Sequence, residues 1–261
     1  MFFMIADCSE VAKPRTSFEN LSVDAPIPNH LPHPRPNIPG FPPDRCAAYL
    51  AGTEGSPPRA QLLTAMQAVR SQTPQQSHAG KAVQIALDVG CGPGREVVAL
   101  RAAGFEVDAI DPYPEMIERT REALRAARFD VDQGLLLTAT LEEFASRLLL
   151  LPERYDLIHA GFVLPFVRPA SFAQCWSSLV ASLASSGVFA GQFFGPNDDF
   201  IRDAASGEMT SHTSESIDAL FQKWEILERE EVDRDGAIGR GAPKHWHVHH
   251  VIARKRPAKI D

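Results

Sequence analysis

Three glycines at alternate positions, Gly90, Gly92 and Gly94, separate an apolar run from a helix start in Leu87-Asp88-Val89-Gly90-Cys91-Gly92-Pro93-Gly94-Arg95-Glu96. Glycine permits backbone angles that a Cβ hinders and lets main chain approach a ligand closely. A helix opening near Arg95 presents N–H groups without internal partners, and its dipole favours an anion such as a carboxylate. A second acid, Asp111, closes the alternating run Phe105-Glu106-Val107-Asp108-Ala109-Ile110 about one helix further on. An ionised carboxylate accepts from both hydroxyls of a diol, each charge-assisted bond worth about 1.5–3 kcal/mol. The pair of features describes a site for a small ligand with a carboxylate and a ribose.

Arg95 stands where the dinucleotide fingerprint G-x-G-x-x-G needs its last glycine, and no G-x-x-x-x-G-K-[ST] loop occurs. The spacing is D-x-G-x-G-x-G, which resembles the nucleotide-binding motif of class I S-adenosylmethionine-dependent methyltransferases. The resemblance runs from about Tyr49 to Lys255. Residues 155–166 resemble the fourth strand and its loop, and residues 186–195 the fifth strand. The tail Pro243-Lys244-His245-Trp246-His247-Val248 resembles the last strand of bacterial relatives of the tellurite-resistance type. The resemblance implies S-adenosyl-L-methionine as cofactor, held by Asp88, Gly90, Cys91, Gly92, Gly94, Asp111, Pro112, Met116, Thr140, Leu141, Glu142 and Gly161. Many relatives carry an Asp at the position of Thr140 that accepts from the adenine amino group. Here Glu142 or a backbone group would have to substitute, with Leu141 over the adenine face. Thr140-Leu141-Glu142-Glu143 equally reads as an ordinary helix start with acids favoured by the dipole.

The expected substrate contacts are Arg59, Phe162, His212 and His245. Phe162 follows the fourth strand, but the polar-Pro-Pro-aromatic motif of base and glutamine N-methyltransferases is replaced by Gly161-Phe162-Val163-Leu164. His212 precedes a helix that Ser211 or Thr213 can cap. His245, His247 and His249 share one strand face, while Trp246, Val248 and His250 share the other. An H-x-H pair needs a third ligand to hold zinc, and no C-x-x-C or H-E-x-x-H supplies one, so no metal is expected. No catalytic residue is assigned: the sulfonium donor carries the hard chemistry, and a base is needed only if the acceptor must lose a proton.

Strands and helices must alternate to position these residues. Helix 59–70, with Leu62, Leu63, Met66 and Val69 on one face, precedes strand 83–89. Then follow helix 95–103, strand 105–111, helix 114–128, strand 135–140 and helix 141–150. Strand 155–162, helix 170–184, strand 187–194 and helix 214–222 complete the alternation. In helix 114–128, Met116, Ile117, Thr120, Leu124 and Ala127 form the apolar stripe; Glu115–Arg119 and Glu122–Arg125 can pair on the wet face. Strands 224–233 and 245–255 close the pattern as a hairpin over the Gly-rich link 234–243, with the last strand antiparallel. The class is α/β: a Rossmann-like, seven-stranded, mostly parallel sheet with helices on both faces.

The chain has 261 residues and a formal net charge of −7, against nucleic acid as main partner. No apolar run reaches the roughly 18 residues of a membrane span, and the start lacks a signal-peptide pattern. Cys8, Cys46, Cys91 and Cys175 are scattered, as in a reducing cytoplasm. Eight prolines between Pro26 and Pro43 mark 1–45 as a poorly ordered extension before a methyltransferase domain at 46–261. The expected activity is methyl transfer to a small molecule through N, O, S or a metalloid; a cofactor-binding, non-catalytic regulator or assembly partner is the alternative. Oligomeric state, acceptor and pathway stay open.

Overall fold

Five short runs rich in Val, Ile, Leu and Ala alternate with helices, so they become parallel strands covered on both faces. The structure, a computed structural model, describes residues 55–71, 83–238 and 243–257. The proline-rich segment 1–45, Cys8 and Cys46 lie outside the described residues. Helix α1 (Ala60–Arg70) leads into β1 (Ile85–Val89), α2 (Arg95–Ala102), β2 (Glu106–Asp111), α3 (Pro114–Ala126) and β3 (Leu136–Thr138). Next come α4 (Leu141–Leu148), β4 (Tyr155–Ala160), a 3-10 turn at Leu164–Phe166, α5 (Pro169–Ser182) and β5 (Leu183–Phe194). A short helix α6 (Asp199–Asp203), then α7 (Ser214–Phe221), β6 (Trp224–Ala237) and β7 (Pro243–Lys255) complete the order.

The seven strands lie in the order β3-β2-β1-β4-β5-β7-β6. Pairs from β3 to β5 are parallel, and β7 runs antiparallel between β5 and β6. This is the expected sheet, with the expected reversed last strand. One face is packed by α1, α2 and α3 around Leu62, Val97, Leu100, Ile117 and Ile252. The other is packed by α4, α5 and α7 around Phe144, Trp176, Phe189, Phe193 and Phe221. No helix among the described residues is long and apolar enough to cross a membrane.

Several expected boundaries move. Helix α3 stops at Ala126 because Arg128 takes φ 62° and Phe129 N–H bonds back to the Leu124 carbonyl at 2.9 Å. That is a left-handed cap built without glycine, so the sequence hides it. Ala127 is therefore exposed and leaves the stripe, and Glu118 pairs with Arg121 and Arg125 at 3.6 and 3.3 Å. In α1, Leu63 is 42% exposed and Ala65 takes its place in the core. Strand β3 is three residues long, β5 begins at Leu183, and β6 continues through Ala237, so the start of the expected link is strand. Helix α6 was not expected; Asp198 caps it by accepting from Phe200 N–H at 3.0 Å.

Candidate active site

The carboxyl ends of β1 and β2 meet at the glycine loop. Gly90 and Cys91 both donate their N–H to the Ile110 carbonyl, at 2.8 and 3.0 Å, which ties the loop to the tip of β2. Gly90, Gly92 and Gly94 all have positive φ, 70°, 54° and 85°. A Cβ on Gly94 would lie 2.8 Å from the Thr120 Cα, so α2 and α3 approach each other only over a glycine. Gly94 is also the N-cap of α2 and contributes no side-chain cap, so this residue itself leaves the first N–H groups of that helix open to an anion.

Asp111 is held at the mouth of this loop. Gly92 N–H and Tyr113 N–H each donate to one of its carboxylate oxygens, both at 2.9 Å. Each oxygen keeps a further lone pair for a hydroxyl donor. Burial raises the acid to about 7, against the lowering effect of the two N–H bonds, and nearby Asp88 raises it further. Met116 and Pro112 lie just beyond, Met116 buried and Pro112 half-buried.

Other expected cofactor residues are placed differently. Asp88 is 1% exposed and faces His159 Nδ1 at 2.7 Å beneath the loop, so it supports β1 and β4. The Cys91 side chain packs against Thr120 Oγ1 at 3.6 Å, and burial pushes its thiol well above the usual range. Thr140 accepts from Glu143 N–H at 3.2 Å while the Glu143 carboxylate accepts from Thr140 N–H at 2.8 Å. This capping box occupies the hydroxyl expected near adenine; its T-x-x-E signature stood in the sequence. Glu142 accepts from Arg168 N–H at 3.3 Å, tying α4 to the start of α5. Leu141 is buried in the core. Gly161 is half-buried at the end of β4, where a Cβ would meet the His159 ring at 2.8 Å.

Beside the loop, the ends of β4, β5 and β7 carry aromatic side chains. Phe162 has φ 57°, a conformation costing an L-residue about 1–2 kcal/mol, and donates its N–H to Gln192 Oε1 at 3.0 Å. Gln192 also donates to Gln61 of α1, which donates in turn to the carbonyls of Gly191 and Val251, both at 3.2 Å. That relay latches α1 onto the sheet and places Arg59 over the Phe162 ring, 4.8 Å from its centroid. Arg59 Nε lies 3.7 Å from the Glu96 carboxylate at the start of α2. Phe194, Trp246 and His250 surround Phe162 with centroids 6.0, 6.0 and 6.1 Å away. Burial lowers the pKa of His250. Arg59 and Phe162, named separately as substrate contacts, are thus in direct contact.

Beneath this cluster lies Lys244, only 4% exposed. Its ammonium donates to Asp198 and sits over the rings of Trp246 and Phe200, 3.9 and 4.6 Å from their centroids. Burial lowers the lysine pKa, opposed by Asp198. Sequence reasoning singled out neither Lys244 nor Asp198.

The two expected substrate histidines lie elsewhere. The His212 ring packs on Phe172 and Phe193, 4.5 and 5.2 Å away, on the opposite sheet face, and burial lowers it to about 4. It is a neutral core histidine. Both His245 ring nitrogens face acids of β6, Asp235 at 2.8 Å and Asp233 at 2.6 Å, which raise its pKa. A ring so paired is a poor base. The register of the hairpin sets Asp235, Asp233 and Glu231 opposite His245, His247 and His249. It therefore supplies the third ligand type, Glu231, that the sequence did not place beside His247 and His249.

Comparison with known proteins agrees with this geometry. Residues 87–189 match the family described as a methyltransferase domain. The trans-aconitate 2-methyltransferase of Methylobacterium radiotolerans is 29% identical over 123 residues, which cover 42% of this chain and 47% of that protein. The chain thus spans about half the length of that curated relative. TehB from Haemophilus influenzae superposes with TM-score 0.54 at 17% identity, covering 67% of this chain and 58% of TehB. The 1,6-didemethyltoxoflavin-N1-methyltransferase of Burkholderia thailandensis, solved with S-adenosylhomocysteine, gives 0.52 at 18% identity over 82% of this chain and 86% of that one. At such identities the superpositions speak for the fold, while the family match covers the loop, Asp111 and β4. Residues 87–189 thus resemble a methyltransferase domain, and the sheet that carries them has the fold of the solved methyltransferases.

Proposed function

We propose that the protein transfers a methyl group from S-adenosylmethionine to a small-molecule acceptor. The observation that carries this reading is the juxtaposition at one sheet edge of two unlike surfaces. One is a glycine cradle with an uncapped helix start and a carboxylate that keeps spare acceptor capacity. The other is a half-buried aromatic wall under an arginine.

In this reading the open N–H groups of α2 take the ligand carboxylate, with Arg59 adjoining, and Asp111 accepts from the ribose hydroxyls. Met116 and Pro112 lie where the base would extend. When bound, the cofactor supplies an activated methyl on a sulfonium, so no protein nucleophile is required. Phe162, Trp246, Phe194 and His250 exclude water and orient the acceptor toward the end of β4. The strained Phe162 backbone, locked by Gln192, fixes that wall relative to the glycine loop.

The test is calorimetry with S-adenosylmethionine, followed by mass spectrometry of S-adenosylhomocysteine release. The acceptor panel includes carboxylic acids such as trans-aconitate, aromatic amines, thiols and tellurite. Saturable binding with turnover on one acceptor class supports the reading. Binding without release across the panel removes catalysis, and no binding removes the cofactor assignment.

A further inference from the structure

On the sheet face opposite Phe162, Glu231 of β6 and His247 and His249 of β7 each turn one ligand atom into a common space, all within 4.8 Å of one another. His247 Nε2 is 2.9 Å from Glu231 Oε1, and His249 Nδ1 is 3.8 Å from Glu231 Oε2. Bonds of about 2.0–2.2 Å at tetrahedral angles place ligand atoms about 3.4 Å apart, so the two separations bracket what a cation needs.

His249 is fully buried, and its Nε2 lies 3.0 Å from the His212 carbonyl, an acceptor only. That bond places the proton on Nε2 and leaves a lone pair on Nδ1. Among the described residues no group hydrogen-bonds to Nδ1, although the atom is sealed from solvent. An orphaned buried acceptor costs about 1–3 kcal/mol, and metal sites resolve it by filling the lone pair. The surroundings resemble an outer shell. Ser214 Oγ donates to the second Glu231 oxygen, and Asp233 Oδ2 lies 3.8 Å from His247 Nδ1. Half-exposed Glu231 gives an ion access from solvent.

We infer that Glu231, His247 and His249 form a binding site for one divalent first-row transition ion of the zinc type. Two imidazoles and one carboxylate leave a fourth position to water. The ion takes the place of the proton that His247 shares with Glu231. His247 then carries its proton on Nδ1, toward Asp233, and gives up the bond it accepts from Asn197 N–H at 3.2 Å. The bound ion ties β6 to β7 behind the strand that presents Trp246 and His250 to the aromatic wall. The site stands independently of the methyltransferase reading.

The full-length protein is stripped with chelator and titrated with zinc chloride, then with cobalt chloride. The expected result is one ion per chain in the micromolar range or tighter, cobalt absorption bands of a nitrogen–oxygen site, and a higher unfolding temperature with metal. Glu231→Gln, at an exposed position, should weaken zinc at least about tenfold while staying folded. His247→Asn should do the same, and Glu230→Gln, opposite His250 on the other face, should not. Absence of uptake by the folded wild-type chain overturns the site. So does unchanged affinity in both folded ligand variants, which would place the ion elsewhere.

Discussion

The two halves of the sheet edge are built by opposite means. On the β1–β2 side, backbone does the work: three positive-φ glycines, an uncapped helix start and two N–H groups that aim Asp111. On the β4–β7 side, side chains from five separate segments converge, and Lys244, Asp198, Gln192, Arg59 and Phe162 meet only after the strands pair. A cofactor shared by many enzymes can be held by geometry that any local sequence of the right glycine spacing reproduces. A particular acceptor needs a surface that long-range register assembles.

The sharpest way to break the comparison is at Lys244. Lys244→Met strands the buried Asp198 carboxylate and should lower stability by about 3–5 kcal/mol in denaturant unfolding. Adding Asp198→Asn should recover part of that loss. A neutral single variant would mean that this half does not rest on its buried pair. Gly94→Ala tests the other half: left-handed backbone costs about 1–2 kcal/mol and crowding against Thr120 about 1–3 more. Thermal unfolding and cofactor calorimetry should fall together there, whereas Lys244→Met should leave the cofactor affinity of the folded fraction near wild type.

Asp111→Asn should separate stability from binding. The acid has an ordinary pKa of 3.8, raised to about 7 in the fold. Protonation therefore favours the folded state, and this contribution is lost as pH rises from about 4 to about 7. Three pKa units correspond to about 4 kcal/mol, less about 1–3 for the N–H group that would face the amide NH2. At pH 8 the variant should be more stable by about 1–3 kcal/mol, yet bind S-adenosylmethionine more weakly by about 1.5–3 kcal/mol. Equal cofactor affinity at pH 8 would remove Asp111 from the site. The smallest effect belongs to Glu142→Gln, which weakens one tie to Arg168 N–H and should cost about 0.5–1 kcal/mol of stability. A large drop in cofactor affinity would return Glu142 to the adenine.

What could be read from sequence follows the same division. The β1–loop–α2 unit, Asp111 and the reversed last strand depend on neighbours close in the chain or on strand count, and all were legible. Arg59 and Phe162 were each named from the sequence, but their contact was not, because the Gln61–Gln192 relay behind it joins residues 131 positions apart. Nothing local marks Lys244 as buried, since lysine in a terminal strand ordinarily reads as solvent-facing. His212 was judged by residue type and His245 by strand topology; the deciding facts were the Phe172 and Phe193 rings and the acids of β6. A signal did exist there, because Glu231, Asp233 and Asp235 repeat with the same period of two as His245, His247 and His249. Pairing the two periods needed the hairpin register.

Strand β7 holds His245, His247 and His249 on one side and Trp246, Val248 and His250 on the other; β6 pairs with it along its length and β5 from Val248 to Arg254. A slip by one residue would exchange the sides, sending ring nitrogens into the aromatic wall and indole among the acids. Length changes between Ala237 and Pro243 that shift this strand by two residues keep each side facing its own neighbours, whereas those that shift it by one exchange them. Libraries that vary the length of the segment between β6 and β7 should therefore show an odd–even rhythm in soluble yield.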